Sequence, residues 1–169
     1  LTGKLVLPEG LRYIGGDAFN VCSGLTGTLA LPESLEEVDA TAFNGCTGLT
    51  GTLKIPAHLT KIGGGAFGYT QISAIRVDKE NPAYFVKNSA LYTADGKTLV
   101  ACPNTKVGRL EIAEGTNIIG FLSLCGCEKL TSVSIPVSMS TIEDAAFSFC
   151  AKLKDIYLSL IHISEPTRR

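Results

Sequence analysis

The sequence predicts a repeat solenoid. In it, coils of one recurrent unit each give one strand to a parallel sheet and close through a short helical turn. Three observations carry this reading: a phrase that recurs, the alternation inside it, and the prolines that punctuate it. LTGKLVLPEGLRYIGGDAFNVCSG (1–24), LTGTLALPESLEEVDATAFNGCTG (25–48) and LTGTLKIPAHLTKIGGGAFGYTQ (49–71) say the same thing three times. The phrase returns at 130–152 as LTSVSIPVSMSTIEDAAFSFCAK. Leu1, Leu25 and Leu49 are 24 residues apart, as are Phe19, Phe43 and Phe67. A period in this range marks a stack in which each unit buries its apolar face only against its neighbours. Such a stack offers a ribbon rather than a single pocket.

Each element follows from its residues. Leu5 and Leu7 point one way while Lys4 and Val6 point the other, the alternation of a half-buried strand. It recurs at Leu29/Leu31, Leu53/Ile55, Ile75/Val77, Leu110/Ile112, Val133/Ile135 and Ile156/Leu158. Pro8, Pro32, Pro56 and Pro136 follow at once and end the strand, because proline has no N–H for the ladder. The A-F-x-x-C stretch predicts the helical turn, with Phe19, Phe43, Phe67 and Phe147 stacked inside and Leu124 in their place in the fifth coil. The coils then run 1–24, 25–48, 49–71, 72–107, 108–129, 130–152 and, in part, 153–157. An insertion, VDKENPAYFVKNSALYTADGKTLVACP, interrupts the fourth. Within it Ala90–Thr93 and Thr98–Ala101 flank Asp95-Gly96 and predict a β-hairpin.

Charge excludes some partners. With 15 basic and 16 acidic residues the net charge is −1, which leaves no electrostatic case for nucleic acid or an anionic membrane. The longest near-apolar stretch, Ile118–Cys127, falls well short of the roughly 18 residues a membrane span needs. The chain opens at Leu1 inside a repeat and without Met, and so reads as a fragment of a larger protein. Its last stretch, 158–169 (LSLIHISEPTRR), departs from the pattern and resembles translated sequencing-adapter DNA. It is read as a non-native tail and set aside, His162 with it.

No residue set implies catalysis, a cofactor or a metal. Cys22, Cys46, Cys127 and Cys150 fall once per coil, with Tyr69 in that slot in the third, as buried structural thiols do. Cys125-Gly-Cys127 lacks the spacer of a zinc knuckle. Gly63-Gly64-Gly65 sits in no phosphate-binding motif and reads as a repeat turn. His58 reads as a loop residue without the partners of a general base, and Asp78, Glu80 and Asp95 as solvated turns.

Binding would therefore use the outward strand positions or the insertion. Lys54, Arg76 and Glu111 are the long charged side chains of one outward column. Coils stacked strictly in order would also let Arg76 and Glu111 pair with each other. Tyr84, Phe85 and Tyr92 concentrate aromatics in the insertion, the residue class enriched at interfaces, while packing of at least some of them between hairpin and sheet is the stronger reading.

LPEGLRYIGGDAF, IPVSMSTIEDAAFSFC, the period near 23 and the inserted NPAYFVKNSALYTADGKTLVACP together resemble the bacterial leucine-rich-repeat surface proteins of the BspA type, over essentially all of 1–157. The resemblance implies an α/β leucine-rich-repeat solenoid from a secreted or cell-surface protein. It also implies a non-catalytic adhesin that binds a host-matrix or bacterial-surface partner. It brings no shared site residues. Two alternatives stand beside it: a spacer or targeting appendage of a larger exported enzyme, and an intracellular protein of the same repeat class.

Overall fold

The computed structural model describes residues 1–159. The first three coils each give a front strand and a short back strand. These are β1 (Thr2–Lys4) and β2 (Tyr13–Ile14), β3 (Gly24–Thr28) and β4 (Glu37–Val38), and β5 (Leu49–Ile55) and β6 (Lys61–Ile62). The fourth coil holds β7 (Gln71–Val77), β8 (Tyr84–Lys87), β9 (Ala90–Thr93) and β10 (Thr98–Ala101). Then follow β11 (Gly108–Glu111), β12 (Ile118–Ile119), β13 (Leu130–Ile135), β14 (Thr141–Ile142) and β15 (Asp155–Leu158). The rest of the 158–169 stretch, from residue 160, lies outside the described residues.

Front strands pair in parallel, and their inward side chains form the core. Leu53, Ile55, Leu110 and Val133 are all buried, as the alternation requires. The phenylalanine column is present. The Phe19 and Phe43 rings stack at 5.1 Å, Phe43 and Phe67 at 5.9 Å, and Leu124 is fully buried in the fifth coil. Repeats that begin L-T-G carry one residue more between leucine and proline than Leu130–Pro136 does. At the third coil the pairing is irregular, with Ser73 of β7 left as the extra, unpaired residue opposite Gly51. The β5–β7 register slips between Gly51 and Thr52, where Gly51 has φ +79°.

The expected helical turns are not helices. Among the described residues the A-F-x-x-C stretches are stacked turns whose N–H groups alternate between two acceptors. Asp17, Phe19 and Val21 donate across to Ala40, Ala42 and Asn44 of the next coil, at 3.1, 2.8 and 2.7 Å. Ala18, Asn20 and Cys22 donate three residues back within their own coil. Left-handed residues cause this, since Asp17 and Val21 at φ +57° and +56° reverse the path a helix would continue. The pattern recurs at Thr41/Gly45, Gly65/Tyr69, Leu122/Gly126 and Ala145/Phe149. Tyr69 thus belongs to the column of Val21 and Gly45. The cysteine slot of the third coil is held by the buried Thr70, three residues after Phe67, and not by Tyr69.

The insertion is a wedge. The expected hairpin is a three-stranded meander, because Tyr84–Lys87 also forms a strand, joined to β9 by Asn88-Ser89 with both residues at positive φ. β10 takes the back-strand place of its coil and pairs in parallel with β12, so the back sheet runs β14-β12-β10-β9-β8. Leu91 joins the core of the first coils while Ala90 and Tyr92 join that of the later ones. β9 therefore separates two cores. The fourth coil also lacks the A-F-x-x-C turn, so the third and fifth meet directly, with the Tyr69 N–H on the Cys125 carbonyl at 3.0 Å. Gly64 and Gly65 lie against Phe121 and Leu122 at this joint.

Candidate recognition surface

Because the insertion enters at the fourth coil, the front sheet is two panels and not one. β1-β3-β5-β7 form the first and β11-β13-β15 the second. The long outward side chains Lys54, Arg76, Arg109 and Glu111 are exposed above a sealed interior, the arrangement a contact surface needs.

On the first panel Lys54 of β5 lies in register with Arg76 of β7. Lys54 is held between Glu33 at 2.8 Å and Asp78 at 3.4 Å, and the Glu33 hydrogen bond keeps its ammonium above the ordinary lysine range. Arg76 is exposed and has no ion pair among the described residues. It does not pair with Glu111, because β7 and β11 belong to different sheets and Glu111 instead lies 3.7 Å from Arg109 of its own strand.

The insertion's aromatics are mostly internal. Tyr92 is fully buried and its hydroxyl accepts the Ala113 N–H at 3.1 Å; burial pushes its phenol up to about 12. Tyr84 is buried too, accepting the Ile62 N–H at 2.8 Å and donating to the Thr60 carbonyl. Phe85 is half-buried, stacked on Tyr92 at 5.6 Å. The cause is the wedge, where both faces of β9 are covered and an aromatic fills that space best. Of the three, only Phe85 reaches the surface.

The second panel holds features that reading by column passed over. The Arg109 guanidinium lies 5.8 Å from the centre of the Tyr157 ring, two strands away. It reaches there over Ser132 and Ser134, whose small side chains leave the room. A groove of about 540 Å³ opens beside them, lined in part by Lys87, Asn88, Arg109, Glu111 and Tyr157. The signal available in the sequence was small residues between an arginine and an aromatic in adjacent columns. It is legible only once the register is known.

Among the described residues the thiols, His58 and the acidic turn residues are held in separate structural contacts. All six cysteines are free thiols. Cys46 donates to the Phe19 carbonyl at 3.0 Å and Cys150 to the Leu124 carbonyl at 3.1 Å, each one coil back. Burial pushes Cys46 up to about 11 and Cys150 up to about 12, away from the thiolate. His58 is exposed, its Nδ1 3.1 Å from the Glu33 carbonyl oxygen. Asp78 and Asp95 cap their own separate turns, and hydrogen bonds from the Glu80 N–H and from the Thr93 hydroxyl hold them below the usual carboxylate range. Among the described residues no three metal-ligating side chains come together, and no helix is long and apolar enough to cross a membrane.

With this geometry in place, comparison with known proteins places the chain. The family described as BspA type leucine rich repeat region matches residues 2–106 and 99–166, in six copies. The pneumococcal vaccine antigen PcpA matches in structure at a TM-score of 0.81 and 24% identity, over 94% of this chain and 39% of that one. A leucine rich cell surface protein of Faecalibacterium prausnitzii matches at 0.53 and 23% identity, over 94% of this chain and 59% of that one. A leucine-rich repeat protein of Bacteroides ovatus matches at 0.52 and 23%, over 94% and 37%. At these identities the likeness shows the fold, and the chain spans between about a third and three fifths of each of these proteins. A search of curated proteins finds no match.

Proposed function

We propose, from the premise that this chain belongs to the BspA-type leucine-rich-repeat family, that it is a recognition segment of a secreted or surface-displayed bacterial protein. It binds protein partners on host matrix or on other bacteria and does no chemistry on them. The observation that supports this is the division of labour along the coil. The Tyr84 and Tyr92 hydroxyls and the Cys46 and Cys150 thiols are held in structural hydrogen bonds, while Lys54, Arg76 and Glu111 stand outward on rigid parallel strands. Such a ribbon acts through many modest contacts, each charged position adding selectivity more than affinity. Arg76 is the first of them, since no carboxylate among the described residues competes for it.

Surface plasmon resonance of the chain against immobilised matrix proteins, and flow cytometry against intact bacterial cells, test this. Arg76→Glu should weaken a saturable interaction roughly tenfold and lessen its salt dependence. If nothing binds saturably in either format, the spacer reading replaces this one.

A further inference from the structure

We propose that the break between β7 and β11 is a strand-addition site for an extended peptide whose outward side chains run from acidic to basic. This rests on the recognition reading above and names a site and a chemistry for it.

The backbone points to the site. β7 is paired only with β5, and β11 only with β13, so two parallel edges face the same break without each other. On β11 the direction of each group follows from its neighbours. Ile112 donates to the Ser134 carbonyl at 2.9 Å, which turns Leu110 and Ile112 toward β13. Arg109 and Glu111 alternate with them and turn toward the break. Asn88 confirms this from the other side, its Nδ2 donating to the Glu111 carbonyl at 2.9 Å. The Arg109 amide and carbonyl and the Glu111 amide are left with no partner among the described residues.

Space lies where these groups point. A cavity of about 250 Å³ is lined by Asn88, Ser89, Lys106, Arg109 and Glu111. The Asn88-Ser89 turn closes one end. At the other, the Thr105 N–H meets the Ile72 carbonyl at 3.4 Å. At about 3.3 Å per residue, an edge the length of β11 takes about four residues of a peptide. Edges left open in this way are what natural proteins otherwise cover or blunt, and addition of a peptide strand is the common use of one left available.

Charge selects the occupant. Along this edge the order is Lys106, Arg109, Glu111, positive and then negative. Cross-strand neighbours of opposite charge stabilise a pair and like charges oppose it. A strand added parallel, as every front strand is, therefore sets an acidic residue beside Arg109 and a basic one beside Glu111. The residue between them faces inward, level with the buried Leu110, and is apolar.

The test is amide hydrogen exchange by NMR on the whole chain, with the blocked peptide Glu-Val-Glu-Val-Lys-Val-Lys as probe. In the free protein the Arg109 and Glu111 amides should exchange fast and that of Leu110 slowly. Saturating peptide should slow Arg109 and Glu111 by at least roughly tenfold. The charge exchange Arg109→Glu with Glu111→Arg should reject this peptide and accept Lys-Val-Lys-Val-Glu-Val-Glu. Arg109→Pro, which removes an amide the fold does not use, should leave the protein folded and the peptide unbound. Unchanged exchange at Arg109 and Glu111, or binding indifferent to the charge exchange, overturns the proposal. If those amides stay fast while surface partners still bind, the site fails and the recognition reading stands. If the peptide is protected but no surface partner is captured, the site stands and the recognition reading fails.

Discussion

Tyr69 reaches across Gly126 to stack on Phe149, their ring centres 5.1 Å apart, although the three residues belong to successive turns of the stack. The column holds Val21, Gly45, Tyr69, Gly126 and Phe149, all at positive φ. Valine, tyrosine and phenylalanine tolerate that backbone here, so conformation alone does not demand glycine at 126. The neighbour does. A Cβ on Gly126 would lie 2.4 Å from Tyr69 Cδ2 and 2.7 Å from Tyr69 Cα.

Gly126→Ala should therefore cost about 2–4 kcal/mol, combining left-handed strain with overpacking at the joint. Gly45→Ala, whose Cβ meets Val21 no closer than 3.2 Å, should cost about half as much or less. Chemical denaturation of both variants checks the ranking. Equal losses would mean that backbone strain, and not the Tyr69 contact, is the reason for glycine.

The phenylalanine column predicts a gradient. Phe43 is fully buried between two rings, whereas Phe19 is half-buried and has a ring on one side only. Phe43→Ala should cost about 3–5 kcal/mol and Phe19→Ala distinctly less, as read from thermal or denaturant unfolding.

Tyr92 and Tyr84 each use a hydroxyl to satisfy a backbone N–H at the wedge. Tyr92→Phe strands the buried Ala113 amide and should cost about 1–3 kcal/mol. Tyr84→Phe frees an amide at the half-buried Ile62 and should cost less. Neither change should alter binding to a surface partner, since neither ring faces outward. A loss of binding with stability intact would return these tyrosines to the recognition surface.

One substitution should help. Ser89 sits at φ +70° in the β8–β9 turn, a position that favours glycine. Ser89→Gly should stabilise the chain by about 0.5–1 kcal/mol, visible as a raised unfolding midpoint.

The thiols of Cys46 and Cys150 and the phenol of Tyr92 set an alkaline limit. Cys46, Cys150 and Tyr92 have folded pKa values of about 11, 12 and 12, raised by burial. An unfolded thiol ionises near about 8.5 and a phenol near about 10. Raised acids of this kind bind more protons in the folded state, so their contribution is complete below the unfolded value and is lost as pH climbs through the folded one. Melting temperature should hold near neutrality and fall steadily above pH about 9. Cys46→Ala should flatten that decline while lowering stability at neutral pH. An unchanged slope in the variant would sink this account.

How much of this was legible before any coordinates depended on the range of the interaction. Phe19, Phe43, Phe67 and Leu124 could be assigned to one internal column because equal spacing in a stack maps directly onto equal environment. The strands were readable from alternation for the same reason. The helical turn was misread because A-F-x-x-C has helix-compatible spacing. Only the hydrogen bonds to the next coil show Asp17 and Val21 held left-handed. β8 was missed because Asn-Ser is a weaker turn signal than Asn-Gly. For Tyr84 and Tyr92 the sequence leaves both contact and packing open, and the position of the insertion between two cores decides for packing.

Local repetition and alternation were enough to settle the coil and its inward face, since these rest on contacts between neighbouring units of one pattern. The splice of the third coil onto the fifth, the two panels of the front sheet and the open edge of β11 had to await the tertiary structure. They arise where the repeat fails, and there the path is chosen by how the wedge of β8–β10 fills space between distant coils, which no period records.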